Sequence, residues 1–250
     1  MDGVPHYFID SHELSDEVSA ARFESEALKV LEHLFESTDT VILTGGSGMF
    51  IDALCDGLDP IPTSKAVKDQ LQREFDENGL HQLLEELEHG DPVYFSEVDR
   101  QNPMRIMRAL EVIRITGKPY SSFRTAAPKK RPFTTTRFVI DHPRETLYDR
   151  INLRVDLMMK AGLLEEVKSV QHLRPLTSLN TVGYSELFSY LDGEITLEEA
   201  VELIKRNSRR YAKRQLTWFR RNTDTTWIKF TTNELMVKEI ISSLQRLNLE

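Results

Sequence analysis

Hydrophobic positions recur every three to four residues along most of this chain, which is the spacing of one buried helix face. Between residues 15 and 37, such a stripe runs from Ala20 through Phe23 and Ala27 to Leu34. Thr196, with Glu199 three residues later, predicts a capping box that opens another helix. The predicted helices cover residues 15–37, 49–56, 64–77, 80–88, 102–116, 144–161, 163–173, 184–191, the basic segment that follows Thr196, and 234–247.

Four short runs rich in β-branched or aromatic residues predict strands instead. They cover residues 6–9, 40–44, 136–140 and 225–230. The run at 40–44 (TVILT) has the apolar, β-branched composition of a buried parallel strand. Gly45–Gly48 and a predicted helix follow it at once. A strand, a glycine turn and a helix in that order form half of a βαβ unit.

Strands therefore alternate with helices at both ends of the chain, whereas the middle is helical throughout. This arrangement predicts an α/β protein with a parallel sheet, crossover helices and a helical insertion. We expect the α/β core to comprise residues 1–60 and 132–250, and the insertion to span 61–131.

Composition narrows the class of protein. The chain has 250 residues and a single cysteine, Cys55, which excludes an internal disulfide framework and any multi-cysteine metal site. The seven histidines form no H-x-x-x-H pair, so we expect no zinc site. No apolar stretch approaches the length of about 18 residues that a membrane span needs, and the N-terminus lacks a basic, apolar leader. We therefore expect a cytoplasmic protein.

Charge is distributed unevenly along the chain. Residues 1–100 contain 6 basic and 23 acidic side chains, whereas residues 101–221 contain 23 basic and 13 acidic ones. The densest stretch, Lys205–Arg221, has eight basic residues, no acidic residue, and three aromatic residues among the cations. Such a run is commonly a solvated helix face. Because no acid within it can form i,i+4 pairs, we interpret it as a surface for nucleic acid.

Three groups of residues could contact phosphate. Gly45–Gly48 can direct backbone N–H groups at an anion, or simply form a tight turn. Arg150 and Arg154, one helical turn apart, could clamp a diphosphate, or pair with nearby carboxylates at the surface. Arg105 and Arg108 could follow a phosphate backbone, or be solvated. The chain has no Walker A motif, because its one Gly-Lys pair, Gly117-Lys118, lacks the required earlier glycine.

Several short motifs occur together in an order that resembles one family. They are Val4-Pro5-His6, the turn Gly45-Gly46-Ser47-Gly48-Met49-Phe50, residues 104–111 (MRIMRALE), Gly117-Lys118, Arg150-Ile151 with Arg154-Val155, Gly162-Leu163, Val182-Gly183-Tyr184, and residues 213–220 (KRQLTWFR). In that order and spacing, the chain closely resembles bacterial tRNA dimethylallyltransferases, also called tRNA isopentenyltransferases. The resemblance extends from residue 3 to about residue 245.

The resemblance implies a fold and a reaction. The fold would be a P-loop NTPase-like parallel sheet, with the helical insertion gripping the anticodon stem. The enzyme would transfer a dimethylallyl group from dimethylallyl diphosphate to N6 of the adenosine adjacent to the anticodon, with Mg²⁺ assisting. The target base would be flipped into a channel, where an aspartate would act as general base. We expect a monomer whose partners are a tRNA anticodon stem-loop and dimethylallyl diphosphate.

The resemblance also implies roles for individual residues. Arg154 would hold the leaving diphosphate, and Ser47, where the family usually has threonine, would lie beside the reacting base. The residues implied in RNA binding are Ser47, Lys68, Met104, Arg105, Ile106, Met107, Arg108, Thr181, Val182, Gly183, Tyr184, Ser185, Glu186, Lys213, Arg214, Gln215, Leu216, Thr217, Trp218, Phe219 and Arg220.

The sequence departs from the family pattern at its beginning. The P-loop, the catalytic aspartate and most magnesium ligands would lie before the equivalent of Val4, so we expect about fifty more residues ahead of Met1, the length that a strand, a P-loop, a helix and a second strand require. Phe50 stands where tyrosine is usual, and Glu186 where the residue is often neutral. The alternative is a catalytically inactive, RNA-binding remnant. A third interpretation is a P-loop kinase or transferase that acts on a small molecule. The basic run Lys205–Arg221 argues against it.

Overall fold

The protein is described by a computed structural model that covers residues 3–125 and 127–247. Contacts divide the chain into two compact units. One contains the residues up to Ile51 together with those from Phe133 onward, and the other comprises Asp52–Pro132. The elements are α1 Ala20–Leu34, α2 Gly48–Cys55, α3 Lys65–Asn78, α4 His81–Gly90, α5 Pro92–Glu97, α6 Pro103–Thr116, β1 Arg137–Asp141, α7 Arg144–Lys160, α8 Leu163–Ser169, α9 Tyr184–Leu191, α10 Leu197–Phe219, β2 Thr225–Lys229 and α11 Asn233–Leu247.

The sheet is a parallel pair. β1 and β2 lie side by side with Val139 opposite Trp227, and Ile228 is completely buried. Parallel neighbours require a crossover connection, and here α7 to α10 supply it. The prediction of a parallel sheet with crossover helices is thus confirmed. The sheet has two strands among the described residues, and the protein is mostly helical.

Two of the four predicted strands are wrong. Residues 6–9 and 40–44 form no strand, and Phe8 has a left-handed backbone with φ +64° that an extended strand excludes. In the second segment, Ile42 is 85% exposed. β-Branched composition favours a strand only where a neighbouring strand accepts its backbone hydrogen bonds. Among the described residues, only β1 and β2 pair in this way.

Two predicted helices are shorter than the hydrophobic pattern suggested. The first begins at Ala20 rather than near residue 15, because the Ser19 hydroxyl accepts the backbone N–H of Arg22 as an N-cap. The helix that we predicted over 163–173 ends at Ser169 and gives way to a short 3₁₀ turn. By contrast, the capping box at the start of α10 is confirmed, with Thr196 and Glu199 bonded to each other's backbone N–H groups.

The helical unit Asp52–Pro132 packs α3 to α6 around its own core. The core consists of Leu71, Leu83, Leu87, Tyr94, Val98, Ile106, Ala109 and Leu110. Arg114 of α6 joins three helices, because its guanidinium contacts Glu74 of α3 and Glu86 of α4. The two carboxylates raise the pKa of Arg114, and the guanidinium lowers that of Glu74.

In the other unit, α7 to α10 share a second core. Its buried members are Val155, Leu163, Val167, Leu179, Leu187, Phe188, Ala200 and Ile204. Ala200 and Ile204 place the N-terminal half of α10 in this core and fix its buried side. In the part of the chain that the structure describes, no helix is long and apolar enough to cross a membrane.

Candidate nucleic-acid interface

The exposed side of α10, continued by its C-cap Arg220, carries five cations and one threonine. Its buried side holds Ala200, Ile204 and Ala212. The residues on the opposite side recur at helical spacing and are all exposed, namely Arg206, Arg210, Lys213, Arg214, Thr217 and Arg220. We call these six residues the cationic face. No acidic residue lies on α10 beyond Glu202, so the face can attract a polyanion without internal neutralisation.

The glycine turn lies directly against α10. Gln215 donates its side-chain amide to the carbonyl oxygen of Gly46 at 2.9 Å. At Gly48, a Cβ atom would lie 2.1 Å from Cδ1 of Trp218, so only glycine permits this approach. The structure therefore explains Gly48 by close packing. It also places the exposed Ser47, between the two contact points, beside the helix that carries the cationic face.

Aromatic rings surround the C-terminal half of α10. The Arg221 guanidinium lies 3.8 Å from the ring centre of Trp218, and that of Arg220 lies 5.5 Å from the ring centre of Trp227 on β2. The half-exposed Tyr211 lies under Arg214. Guanidinium groups beside aromatic rings suit a ligand that offers both phosphates and flat bases.

Two side-chain bonds link α7 to α10. Asn152 accepts a hydrogen bond from Arg209 at 2.6 Å, and Asp156 pairs with Lys205 at 2.8 Å. Asp156 is therefore engaged with α10 rather than with Arg154. The guanidinium of Arg154 is exposed, and within residues 3–125 and 127–247 it has no hydrogen-bond or ion-pair partner. Arg150 lies over the ring of Phe230 at 5.2 Å.

The turn that precedes α9 is held by internal contacts. Gly183 has φ +105°, a conformation that other residues rarely adopt. Glu186 accepts its backbone N–H, and the Tyr184 hydroxyl donates to Glu166 of α8. Burial, together with this carboxylate, raises the pKa of Tyr184 to about 12. The side chain of Glu186, for which the resemblance implies contact with RNA, is buried and hydrogen-bonded inside the turn.

Helix α6 presents only part of its predicted RNA-binding segment. Met104 and Arg105 are exposed, whereas Ile106 is fully buried in the core and Met107 packs against it. Arg108 donates to the carbonyl oxygens of Pro62 and Ile61 and pairs with Glu111. The side chains of Ile106 and Arg108 are therefore committed to their own unit. Of the residues that the resemblance implies in this unit, Met104, Arg105 and Lys68 of α3 are exposed.

The structure also assigns roles to residues of α10 that the family motifs do not include. Arg206 and Arg210 belong to the cationic face although the resemblance did not assign them. Asn207 donates to the buried Glu186 from the middle of α10. The one available signal was a polar residue three positions after the core residue Ile204, on the helix side that should be apolar.

Metal-ligating side chains are scattered, not clustered, in the part of the chain that the structure describes. In the described ranges, no three His, Cys, Asp or Glu side chains lie close enough to hold a metal ion. The described residues therefore offer no cluster for the Mg²⁺ that the resemblance implies, in keeping with an expected ligand set that lies mostly before the equivalent of Val4.

A parallel strand pair, with a glycine turn packed on a helix that exposes several cations, defines an α/β protein whose surface suits a polyanion. The profile of one family, described as IPP transferase, matches residues 1–222. The chain belongs to this family, whose curated members are named tRNA dimethylallyltransferases.

Individual relatives agree with this assignment. The chain is 52% identical to tRNA dimethylallyltransferase 1 of Phocaeicola vulgatus over 90% of its own length and 75% of the relative's. It is 49% identical to the Bacteroides fragilis enzyme of the same name, over 97% and 79%. The solved tRNA isopentenylpyrophosphate transferase of Bacillus halodurans is similar with a TM-score of 0.66 and 34% identity, over 97% of this chain and 79% of that one.

Proposed function

We propose that this chain transfers a dimethylallyl group from dimethylallyl diphosphate to N6 of the adenosine adjacent to the anticodon of tRNA. The observation that carries the proposal is the cationic face of α10, which adjoins the glycine turn through Gln215 and Trp218. Membership of the family indicates the reaction, and the geometry of α10 and the glycine turn provides a surface that suits the RNA substrate.

The reaction forms one bond and breaks one. The N6 nitrogen attacks the first carbon of the dimethylallyl group, a C–N bond forms, and the C–O bond to the diphosphate breaks. The N6 proton would pass to the general-base aspartate, which the resemblance places before the equivalent of Val4, and diphosphate would leave as the anion. Catalysis by the chain's own residues then consists of holding two anionic substrates in line and stabilising the leaving group.

Lys213, Arg214 and Arg220 would bind the phosphate backbone near the target base. Because an adenine inside a helical stack is inaccessible, the base would be flipped out and received beside Ser47. Arg154 would take the leaving diphosphate, since a guanidinium can donate two parallel hydrogen bonds to phosphate oxygens. Its lack of a partner among the described residues leaves those donors available.

The helical unit Asp52–Pro132 would grip the anticodon stem. Its exposed Lys68, Met104 and Arg105 support this role, since the first and third can contact phosphates. The helices beneath them are braced by Arg114, which is bonded to Glu74 and Glu86. A braced helical surface can hold an RNA stem without rearranging.

Charge reversal tests the proposal. In the whole protein, Lys213→Glu with Arg214→Glu should weaken binding of an anticodon stem-loop at least tenfold. The slope of log Kd against log salt should fall by about 1.4, because each phosphate contact to single-stranded RNA contributes about 0.7. The control is Lys160→Glu with Lys238→Glu, which changes net charge equally at exposed sites outside α10. Equal effects of both pairs, or none from the first, would contradict the proposal.

A further inference from the structure

Glu186 is a buried carboxylate shared by two elements. Only 7% of the residue is exposed. One oxygen, Oε2, accepts the backbone N–H of Gly183 at 2.7 Å, and the other, Oε1, accepts the side-chain amide of Asn207 at 2.7 Å. A buried charge is costly unless it is hydrogen-bonded, so both bonds matter for its presence there. They connect the turn before α9 with the middle of α10.

The short turn before α9 is held by its own backbone hydrogen bonds. The carbonyl oxygen of Thr181 accepts the backbone N–H groups of Tyr184 and Ser185, and Gly183 holds its left-handed conformation. These bonds fix the internal shape of the turn. They do not fix where the turn lies relative to α10.

Apolar packing holds α9 and α10 together. Leu187 and Phe188 meet Ala200 and Ile204 in the shared core. Hydrophobic burial is non-directional, so it stabilises the contact without selecting individual polar partners. The hydrogen bond between Asn207 and Glu186 is directional, and it therefore sets the register between the two helices.

Asn207 also reaches toward the cationic face. Its side-chain oxygen lies 3.5 Å from Nη1 of the exposed Arg210. Lys213 follows six residues after Asn207, a rise of about 9 Å along the helix. A chain of polar contacts thus runs from the cationic face through Asn207 and Glu186 to the backbone of Gly183.

We infer that Asn207 is a positioning residue for tRNA: through Glu186 it holds the turn Val182–Gly183–Tyr184 in a fixed place relative to the cationic face. This inference rests on the proposed function, because it takes both surfaces to contact the same RNA. Asn207 acts without touching the RNA, and its substitution moves one contact surface against the other.

Exchange of donor and acceptor tests the inference. Asn207→Asp places two carboxylates face to face and should raise KM for tRNA about tenfold, while KM for dimethylallyl diphosphate changes less than twofold. Glu186→Gln alone should have a smaller effect, since Asn207 can turn its oxygen toward the new amide. The double variant restores a donor–acceptor pair with the roles reversed, and KM for tRNA should return to within about threefold of the original value.

A matched control separates positioning from general loosening. Asn152→Ala removes another side-chain bond of α10, that to Arg209, but leaves the turn untouched. Assays are done well below the thermal midpoint of each variant, which is measured in parallel. The inference is overturned if Asn207→Asp lowers the midpoint but leaves KM for tRNA unchanged, if both KM values rise together, or if Asn152→Ala has the same effect.

The two proposals fail in different ways. If reversing charge at Lys213 and Arg214 leaves RNA binding intact, the proposed function itself is wrong. If that reversal weakens binding but the exchange of Asn207 and Glu186 does not alter KM for tRNA, only the positioning role is wrong.

Discussion

The indole of Trp218 occupies the space that any side chain at position 48 would need. A Cβ atom there would lie 2.1, 2.3 and 2.6 Å from three atoms of the ring. Trp218 therefore anchors the glycine turn to α10, and with it the exposed Ser47. The contact between Trp218 and the turn is possible because glycine at position 48 has no Cβ atom.

We predict that Gly48→Ala expels the indole and costs about 1–3 kcal/mol of stability, as overpacking usually does. RNA binding should weaken as well, because Trp218 leaves its place beside the cationic face. Denaturant unfolding and stem-loop binding measure the two effects. The control is Gly45→Ala, where a Cβ atom meets nothing within 4 Å, and this variant should resemble the parent. Similar losses in both variants would contradict the role of Trp218.

Arg154→Ala should lower prenyl transfer while leaving RNA affinity nearly unchanged. Loss of hydrogen bonds between a guanidinium and a phosphate costs about 1.5–3 kcal/mol, or roughly ten- to a hundredfold in rate. Transfer of labelled dimethylallyl to tRNA and stem-loop binding are measured on the same preparations. Lys160→Ala, at the exposed end of the same helix, serves as control. An equal loss of transfer and RNA binding would contradict the assignment of Arg154 to the diphosphate.

Glu111→Gln should destabilise the helical unit near neutral pH by about 2 kcal/mol, the scale of hydrogen bonds to a charged group. Burial raises the pKa of Glu111, but hydrogen bonds from Ser64, Thr63 and Arg108 outweigh it, and the net pKa is lowered. Because the pKa of Glu111 is lower in the folded protein than in the unfolded chain, where it is about 4.3, the ionised carboxylate stabilises the fold above about pH 4.3. This stabilisation is lost as the pH falls through the pKa of the folded state.

The difference in unfolding free energy between Glu111→Gln and the parent should therefore shrink as pH is lowered below about 4.3. Urea unfolding at a series of pH values measures it. Glu88→Gln, at an exposed position on α4, should show no such pH-dependent difference. A constant difference from neutral to acidic pH would mean that the charge of Glu111 is irrelevant.

Tyr184→Phe should remove a phenol that ionises only at high pH. Because its pKa is raised to about 12, the stability it gains from Glu166 is present below about pH 10 and disappears as pH rises toward 12. Ultraviolet absorbance of the phenolate should show one high-pH transition fewer in the variant. Tyr7→Phe, at an exposed position, should leave that transition in place.

Local signals predicted local structure well. The capping box of Thr196 and Glu199 and the paired strands near 137–141 and 225–229 follow from nearby residues, and the structure confirms them. The segment 40–44 has strand composition, but a strand also needs a partner, and that is not a property of the segment itself.

In the site, too, local properties could be predicted from the sequence, whereas contacts between distant segments could not. The cations of α10 could be read directly from the sequence, because charge density is a local property. Arg108 looked similar to them, yet its acceptors are the carbonyl oxygens of Pro62 and Ile61, 46 and 47 positions earlier. The contact of Gln215 with Gly46 spans 169 positions. Such pairings are made by the fold, so the residue types alone do not reveal them.

The two stacked pairs at the end of α10 give the protein an optical probe of its own. The chain contains only two tryptophans, and each lies beneath an arginine, Trp218 under Arg221 and Trp227 under Arg220. A ligand that draws these guanidinium groups toward phosphate changes the surroundings of both indoles together. The entire intrinsic tryptophan emission therefore originates beside the cationic face, and RNA binding can be followed by fluorescence without any label.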